Sequence, residues 1–297
     1  MGADYLKVKV PATSANLGAG FDVFGIALDK PYDIIEVEKS DMLEIIATGR
    51  DAQFIPTEPE KNTAGRVAAG MGKKVRITIH RDIPLSSGLG SSAAPAAGVA
   101  FALNEMYDMG MSQEKLVRLA AKGEKVASRV EHADNVAPAI MGGFVIVHRQ
   151  RIISLTPENI GVVAVHPDII VSTRRARAIL PKKLSLRDIS FNTASAASMV
   201  VGIMKEDISL IGKSMENRKI EECRSKLIKG YRHVRKSAVN AGASGVTISG
   251  SGPTMLAVCD MGQREDIARA MEKAFSDSGV KSEAYLTTIG KGAEIIG

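Results

Sequence analysis

The stretch Pro84-Leu-Ser-Ser-Gly-Leu-Gly-Ser-Ser-Ala-Ala94 constrains this chain more than any other part of it. Glycines flanked by serines run straight into a row of small residues that reads as a helix from Ser92 to Met106. Glycine lets a backbone pass close to a bulky ligand. The N–H groups entering a helix form a concave set of donors for an anion. Serine hydroxyls beside them suit a phosphate oxygen or a phosphate-bound Mg²⁺. The physical reading is a nucleotide phosphate cradle, set against the plain connection that many glycine-rich loops before helices are.

Two familiar phosphate loops do not fit. Gly88-x-Gly90-x-x-Ala93 matches the dinucleotide fingerprint in form, but that loop should follow its strand directly and be answered by an acid about 20 residues on. Here the strand Val75 to His80 is separated from Gly88 by a loop, and Asp108 lies in a turn. Gly212-Lys213-Ser214 has the last letters of a P-loop, but Asp207 stands where its first glycine belongs.

The rest of the chain alternates strand and helix signals. Tyr5 to Val10, Tyr32 to Glu38, Met42 to Ala47 and Phe144 to His148 read as strands. Thr63 to Met71 reads as a helix, and Ser112 caps another that runs to about Ala121. After strand Val162 to His166 comes a helix-rich run from Thr193 to about Ala241. Strands Val246 to Ser249 and Met255 to Cys259, a helix from Gln263 to Ser276 and strand Glu283 to Thr288 complete the pattern. This order suggests an α+β fold or α/β with mixed sheets. The turn-prone stretch Arg151 to Thr156 divides the chain into domains at 1–153 and 154–297.

Composition narrows the function. The 297 residues suffice for two cores, and 45% hydrophobic with 24% charged content is ordinary for a globular protein. The net charge of +6 is spread along the chain and aromatics make up only 4%, which speaks for a solvated surface and against a nucleic-acid binder. Cys223 and Cys259 are isolated, without metal spacing or a disulfide framework. No signal-peptide pattern and no apolar run of about 18 residues is present, so a cytoplasmic enzyme acting on small molecules, with no membrane partner, is expected.

Three segments taken together carry a resemblance. Pro-x-x-x-Gly-Leu-Gly-Ser-Ser-Ala-Ala, the N-terminal Val8-Lys-Val-Pro-Ala-Thr-Ser-Ala-Asn-Leu-Gly-Ala-Gly-Phe-Asp-Val-Phe-Gly25 and the distal Gly245-Val-Thr-Ile-Ser-Gly-Ser-Gly-Pro-Thr254 resemble, in that order, the motifs of the GHMP kinases. The resemblance implies a two-domain α+β architecture, ribosomal-protein-S5-like at the N-terminus and ferredoxin-like at the C-terminus. It implies ATP and Mg²⁺ as well. The first segment and His132-Ala-Asp-Asn-Val-Ala-Pro138 narrow the implied acceptor to L-homoserine, phosphorylated on its side-chain hydroxyl to O-phospho-L-homoserine for threonine biosynthesis. A homodimer is compatible with the family.

Carried over by resemblance, Pro84, Leu85, Ser86, Ser87, Gly88, Leu89, Gly90, Ser91, Ser92, Ala93 and Ala94 form the cradle, and Asn62 lies near the adenine. Ser92 and Glu124 are the implied Mg²⁺ ligands. Taken alone, Glu124 would read as a solvated helix carboxylate and Asn62 as a helix cap. Arg177 and Arg224 match substrate arginines. A zwitterionic acceptor needs such cations for its carboxylate, although each alone would read as a surface residue. Asn16 and Asp22, on a glycine-broken loop after a strand, match positions facing the acceptor. His132, Asp134 and Asn135 join them in a cluster that breaks the helical pattern before Pro138, and a packed core histidine is the competing reading for His132. Galactokinase-like and mevalonate-kinase-like members carry an aspartate suited to deprotonating the acceptor where this chain has Asn135. An amide has no such basicity, so Asn135 is expected to orient the acceptor. The Ser249-Gly-Ser-Gly-Pro253 segment, otherwise a β-turn, is expected to pack over the cradle.

Overall fold

The computed structural model describes residues 3–128, 132–149 and 151–297. The first sheet grows from a long ribbon. β1 (Tyr5–Asn16) pairs antiparallel with β2 (Gly20–Lys39), with register shifts after Pro11 and Ala15. β3 (Glu44–Gly49) lies parallel to β4 (Val75–Arg81), and their crossover carries α1 (Thr63–Gly70). β4 pairs with the far half of β2, while β5 (Phe144–His148) pairs with its near half and with β6 (Arg151–Leu155). Alternation decides what is buried: Val75, Ile77 and Ile79 of β4 face inward.

Against this sheet pack α2 (Ala93–Met106) and α4 (Ala133–Met141), and α3 (Gln113–Ser128) packs on α1, α2 and α4. α2 buries twelve of its fourteen residues, because its alanines and glycine allow β1, β2, α1, α3 and α4 to crowd around it. Such a helix has almost no polar face, which is why the small-residue run was so legible.

The second sheet has β7 (Gly161–Pro167), β8 (Gly245–Ile248), β9 (Met255–Cys259) and β10 (Ser282–Thr288) in the order β10-β7-β9-β8, all antiparallel. Between β7 and β8 run α5 (Thr173–Ala178), α6 (Leu186–Lys205), α7 (Ile208–Ser214), α8 (Arg218–Arg224) and α9 (Tyr231–Asn240), and α10 (Arg264–Asp277) precedes β10. Val163, Val165, Met255 and Ala257 face α9 and α10. Their alternates Val162, Ala164, Leu256 and Val258 join the first sheet's core together with Met199, Ile203 and Ile211.

Several expectations are corrected. Arg151–Leu155 is a strand of the first sheet rather than a turn, so the 153/154 division falls inside β6. The chain also ends in the first sheet, where β11 (Glu294–Ile295) pairs with β1. α6 starts at Leu186, well before Thr193, on a capping box made by Ser185 and Asp188. Asn16 and Asp22 belong to strands on either side of a tight turn. His132 to Pro138 does not break a helix. His132 caps α4, Asp134 and Asn135 sit in its first turn, and Pro138 lies within it.

Candidate active site

The glycine-rich segments meet where the two sheets' loops converge. Gly88 has φ +82, and a Cβ there would lie 2.4 Å from the Ser249 carbonyl oxygen, so a side chain would collide with backbone. The Ser249 hydroxyl donates to the Gly88 carbonyl (2.8 Å), Thr254 N–H to Ser87 O (3.1 Å) and Gly250 N–H to Ala15 O (3.1 Å). The distal glycine turn thus packs on the loop before α2 and on the end of β1.

Below this junction opens a small polar cleft. From the loop, Ser86, Gly88, Gly90, Ser91 and Ser92 face it. Pro84, Leu85, Ser87, Leu89, Ala93 and Ala94 do not line it. Ser87 is turned inward, accepting from Leu89 N–H and donating to Pro84 O, and Leu89 is buried. Asn62 also lies outside the lining. Its Oδ1 accepts from Ala64 and Gly65 N–H as the cap of α1, and its Nδ2 donates to Pro56 O.

At one wall the Ser92 hydroxyl donates to Glu124 Oε1 at 2.8 Å, and His132 Nδ1 stands 3.4 Å from the same oxygen. Glu124 is 3% exposed, not a solvated helix carboxylate. Burial works against a charged His132, but the hydrogen bond and charge of Glu124, then the charge of Asp134, outweigh it and raise its pKa. Burial also pushes the Asp134 carboxyl up to about 7; the neighbouring Asp22 and Glu124 carboxylates add to this, and His132 opposes it. A hydroxyl and a buried carboxylate within hydrogen-bond reach are the donor types a hard cation takes. Among the described residues no group of three or more His, Cys, Asp and Glu could hold a metal; Ser92 and Glu124 are a pair that could contribute two ligands to a hard cation.

The rest of the lining is polar in another way. Asn135, which lines the cleft, accepts at Oδ1 from the Thr13 hydroxyl (3.1 Å). Arg177 makes a forked pair with Asp22 (2.9 and 3.0 Å). Arg224 is 5% exposed and donates to Gly250 O (2.6 Å). Burial first, and then the Arg177 charge, bring its pKa down to about 10. Asn16 donates to the same Gly250 carbonyl and accepts from Asp22 N–H, so it ties this part of the lining to the distal turn.

Sequence reasoning missed Phe21. Its ring centroid lies 5.5 Å from the Arg177 guanidinium carbon and 5.4 Å from that of Arg224, one aromatic ring serving two cations. Thr173 and Ser251, whose hydroxyls are 3.4 Å apart, also line the cleft unexpectedly. Thr173 carried no signal of its own, standing just after the Ser172 cap of a short helix, whereas Ser251 lay in a segment already singled out.

Comparison with known proteins agrees with this geometry. The family descriptions "GHMP kinases N terminal domain" and "GHMP kinases C terminal" match residues 61–143 and 199–277. Homoserine kinase of Methanocella arvoryzae is 55% identical over 99% of this chain and 98% of its own length. That of Natronomonas pharaonis is 48% identical over 98% and 99%. The crystal structure of homoserine kinase from Cytophaga hutchinsonii superposes with a TM-score of 0.91 at 36% identity, covering 99% of this chain and 98% of that one. Mevalonate kinase of L. major shares the fold at 15% identity, with a TM-score of 0.77.

Proposed function

The chain belongs to the GHMP kinase family, and from that premise we propose that it transfers the γ-phosphoryl group of ATP to the side-chain hydroxyl of L-homoserine, giving O-phospho-L-homoserine and ADP. The observation that carries this reading is the pairing, in one cleft, of a helix-entry phosphate loop with a charge set complementary to an amino acid. Arg177 and Arg224 supply cations for the α-carboxylate. Asp134 supplies the anion for the ammonium, which in turn favours the ionised form of that carboxyl.

The loop N–H groups and the entry of α2 hold the β- and γ-phosphates. Ser92 and Glu124 would hold Mg²⁺, which would neutralise charge on the transferred phosphoryl group. The acceptor oxygen forms the new bond to phosphorus while the bond from phosphorus to the ADP oxygen breaks. Asn135 donates from its amide to the acceptor oxygen and orients it. In a loose transition state the acceptor proton leaves late, to a phosphate oxygen, so no protein base is required. No helix among the described residues is long and apolar enough to cross a membrane, and we place the reaction in the cytoplasm. We also place the division between the two domains after Leu155, where β6 ends.

The test is ADP release from Mg·ATP with homoserine, serine, threonine, mevalonate and galactose. Homoserine is expected to have the highest kcat/KM. Mevalonate or galactose turning over as efficiently would overturn the assignment.

A further inference from the structure

The inward alternation of β4 does not stop at Ile79. Its next inward position is Arg81, a cation at the end of an apolar row. The Arg81 side chain is 1% exposed and its partner Asp33 fully buried, with Nη1 2.8 Å from Asp33 Oδ2. Asp33 Oδ1 accepts from the N–H groups of Asp82 (2.9 Å) and Ile83 (3.0 Å). The guanidinium does more than neutralise that carboxylate. It donates to Ile83 O (3.0 Å) and to Ser91 O (2.8 Å), and so reaches the phosphate loop from behind. One residue further on, the Thr63 hydroxyl at the start of α1 donates to Ser92 O (3.1 Å).

A residue's backbone conformation is fixed by the two peptide planes that flank it, and in a trans peptide the C=O and the following N–H point in opposite directions. Drawing the Ser91 carbonyl back to Arg81 therefore turns the Ser92 N–H forward. Holding the Ser92 carbonyl at Thr63 fixes the second plane. Ser92 is held at φ −89 and ψ −26 with its hydroxyl on Glu124, and among the described residues its N–H donates to no protein acceptor. We infer that Arg81 and Thr63 are positioning residues of the phosphate cradle, gripping the carbonyls on either side of Ser92 so that its N–H is presented to the nucleotide phosphates. The inference rests on the nucleotide reading of the cleft given above.

The experiment compares wild type with Arg81→Lys and Thr63→Val. It measures ADP affinity by calorimetry in the presence of a chelator, KM for Mg·ATP and for homoserine, and thermal melting. A lysine cannot fork to Asp33, Ile83 and Ser91 together, and valine keeps the shape of threonine without its hydroxyl. Metal-free ADP affinity is expected to fall roughly three- to tenfold in each variant, the range of a lost hydrogen bond, with KM for Mg·ATP rising in parallel. KM for homoserine stays within about twofold. If Arg81→Lys does not fold, Thr63→Val decides, since it removes one hydroxyl. Folded variants that melt lower but bind ADP like wild type would make the two residues merely structural and overturn the inference. A wild type that binds no ADP sinks the nucleotide reading and this inference with it.

Discussion

Asp134, in the cleft, and Phe21, behind its two arginines, carry the most readable chemistry of single side chains. With its carboxyl at about 7, Asp134 is protonated and neutral below that pH and ionised above it. Only the ionised form attracts an ammonium, so kcat/KM for homoserine is expected to fall as the pH drops below about 7. At saturating homoserine, kcat keeps its shape because the bound ammonium holds the carboxylate ionised. In Asp134→Asn the acidic limb of kcat/KM disappears and KM rises on the order of 10- to 100-fold, the worth of a charge-assisted hydrogen bond. Loss of at least about 100-fold in kcat, together with the acidic limb of the kcat profile, would instead mark Asp134 as a general base. Phe21 makes two cation–π contacts, with the partly exposed Arg177 and the buried Arg224, together worth at least about 1–2 kcal/mol. Phe21→Leu is expected to raise KM for homoserine about five- to thirtyfold and leave KM for ATP unchanged. Phe21→Tyr, which keeps the ring face, should restore it; equal shifts in both KM values would detach Phe21 from the acceptor.

Loops and helices add a second kind of sensitivity. At Gly88 a Cβ meets the Ser249 carbonyl at 2.4 Å, whereas at Gly72, also left-handed at φ +68, it meets nothing within 4 Å. Both Gly→Ala changes incur the conformational cost of about 1–2 kcal/mol, but only the first pushes the distal turn off the phosphate loop. Gly88→Ala is therefore expected to raise KM for Mg·ATP at least about tenfold and to lower the melting temperature more than Gly72→Ala, as read by calorimetry and steady-state kinetics. Equal melting losses with an unchanged ATP KM would show that the loop yields without consequence.

The two sheets share one core. Val162, Ala164, Leu256 and Val258 of the second sheet are buried with Ile26, Ile35 and Ile77 of the first, and the last strand returns to β1. Separating the halves would expose that apolar surface, so both are expected to unfold in a single cooperative transition. The chain has no tryptophan, but Tyr5, Tyr32 and Tyr107 report on the first half and Tyr231 and Tyr285 on the second. Coincident tyrosine-fluorescence and far-UV circular dichroism transitions, with equal calorimetric and van't Hoff enthalpies, are the expected result. Two resolved transitions would refute the shared core.

Local chemistry made much of this protein legible in advance. The phosphate loop, α2 and the cap at Asn62 declare themselves because glycine, alanine and asparagine have backbone preferences that act within a few residues. Resemblance then named Ser92, Glu124, Asp134, Arg177 and Arg224, which the fold gathers into one cleft from four helices and a loop. The rest came from contacts distant in sequence. Burial, not spacing, lifts the pKa of Asp134 and lowers that of Arg224. Arg81 drew no reading from the sequence, and only the fold sets Asp33 and the Ser91 carbonyl around it. The turn reading of Arg151 to Thr156 failed for the same reason. Arg151–Leu155 becomes a strand only through its hydrogen bonds to β5, and a sheet edge is defined by its partner rather than by its own residues.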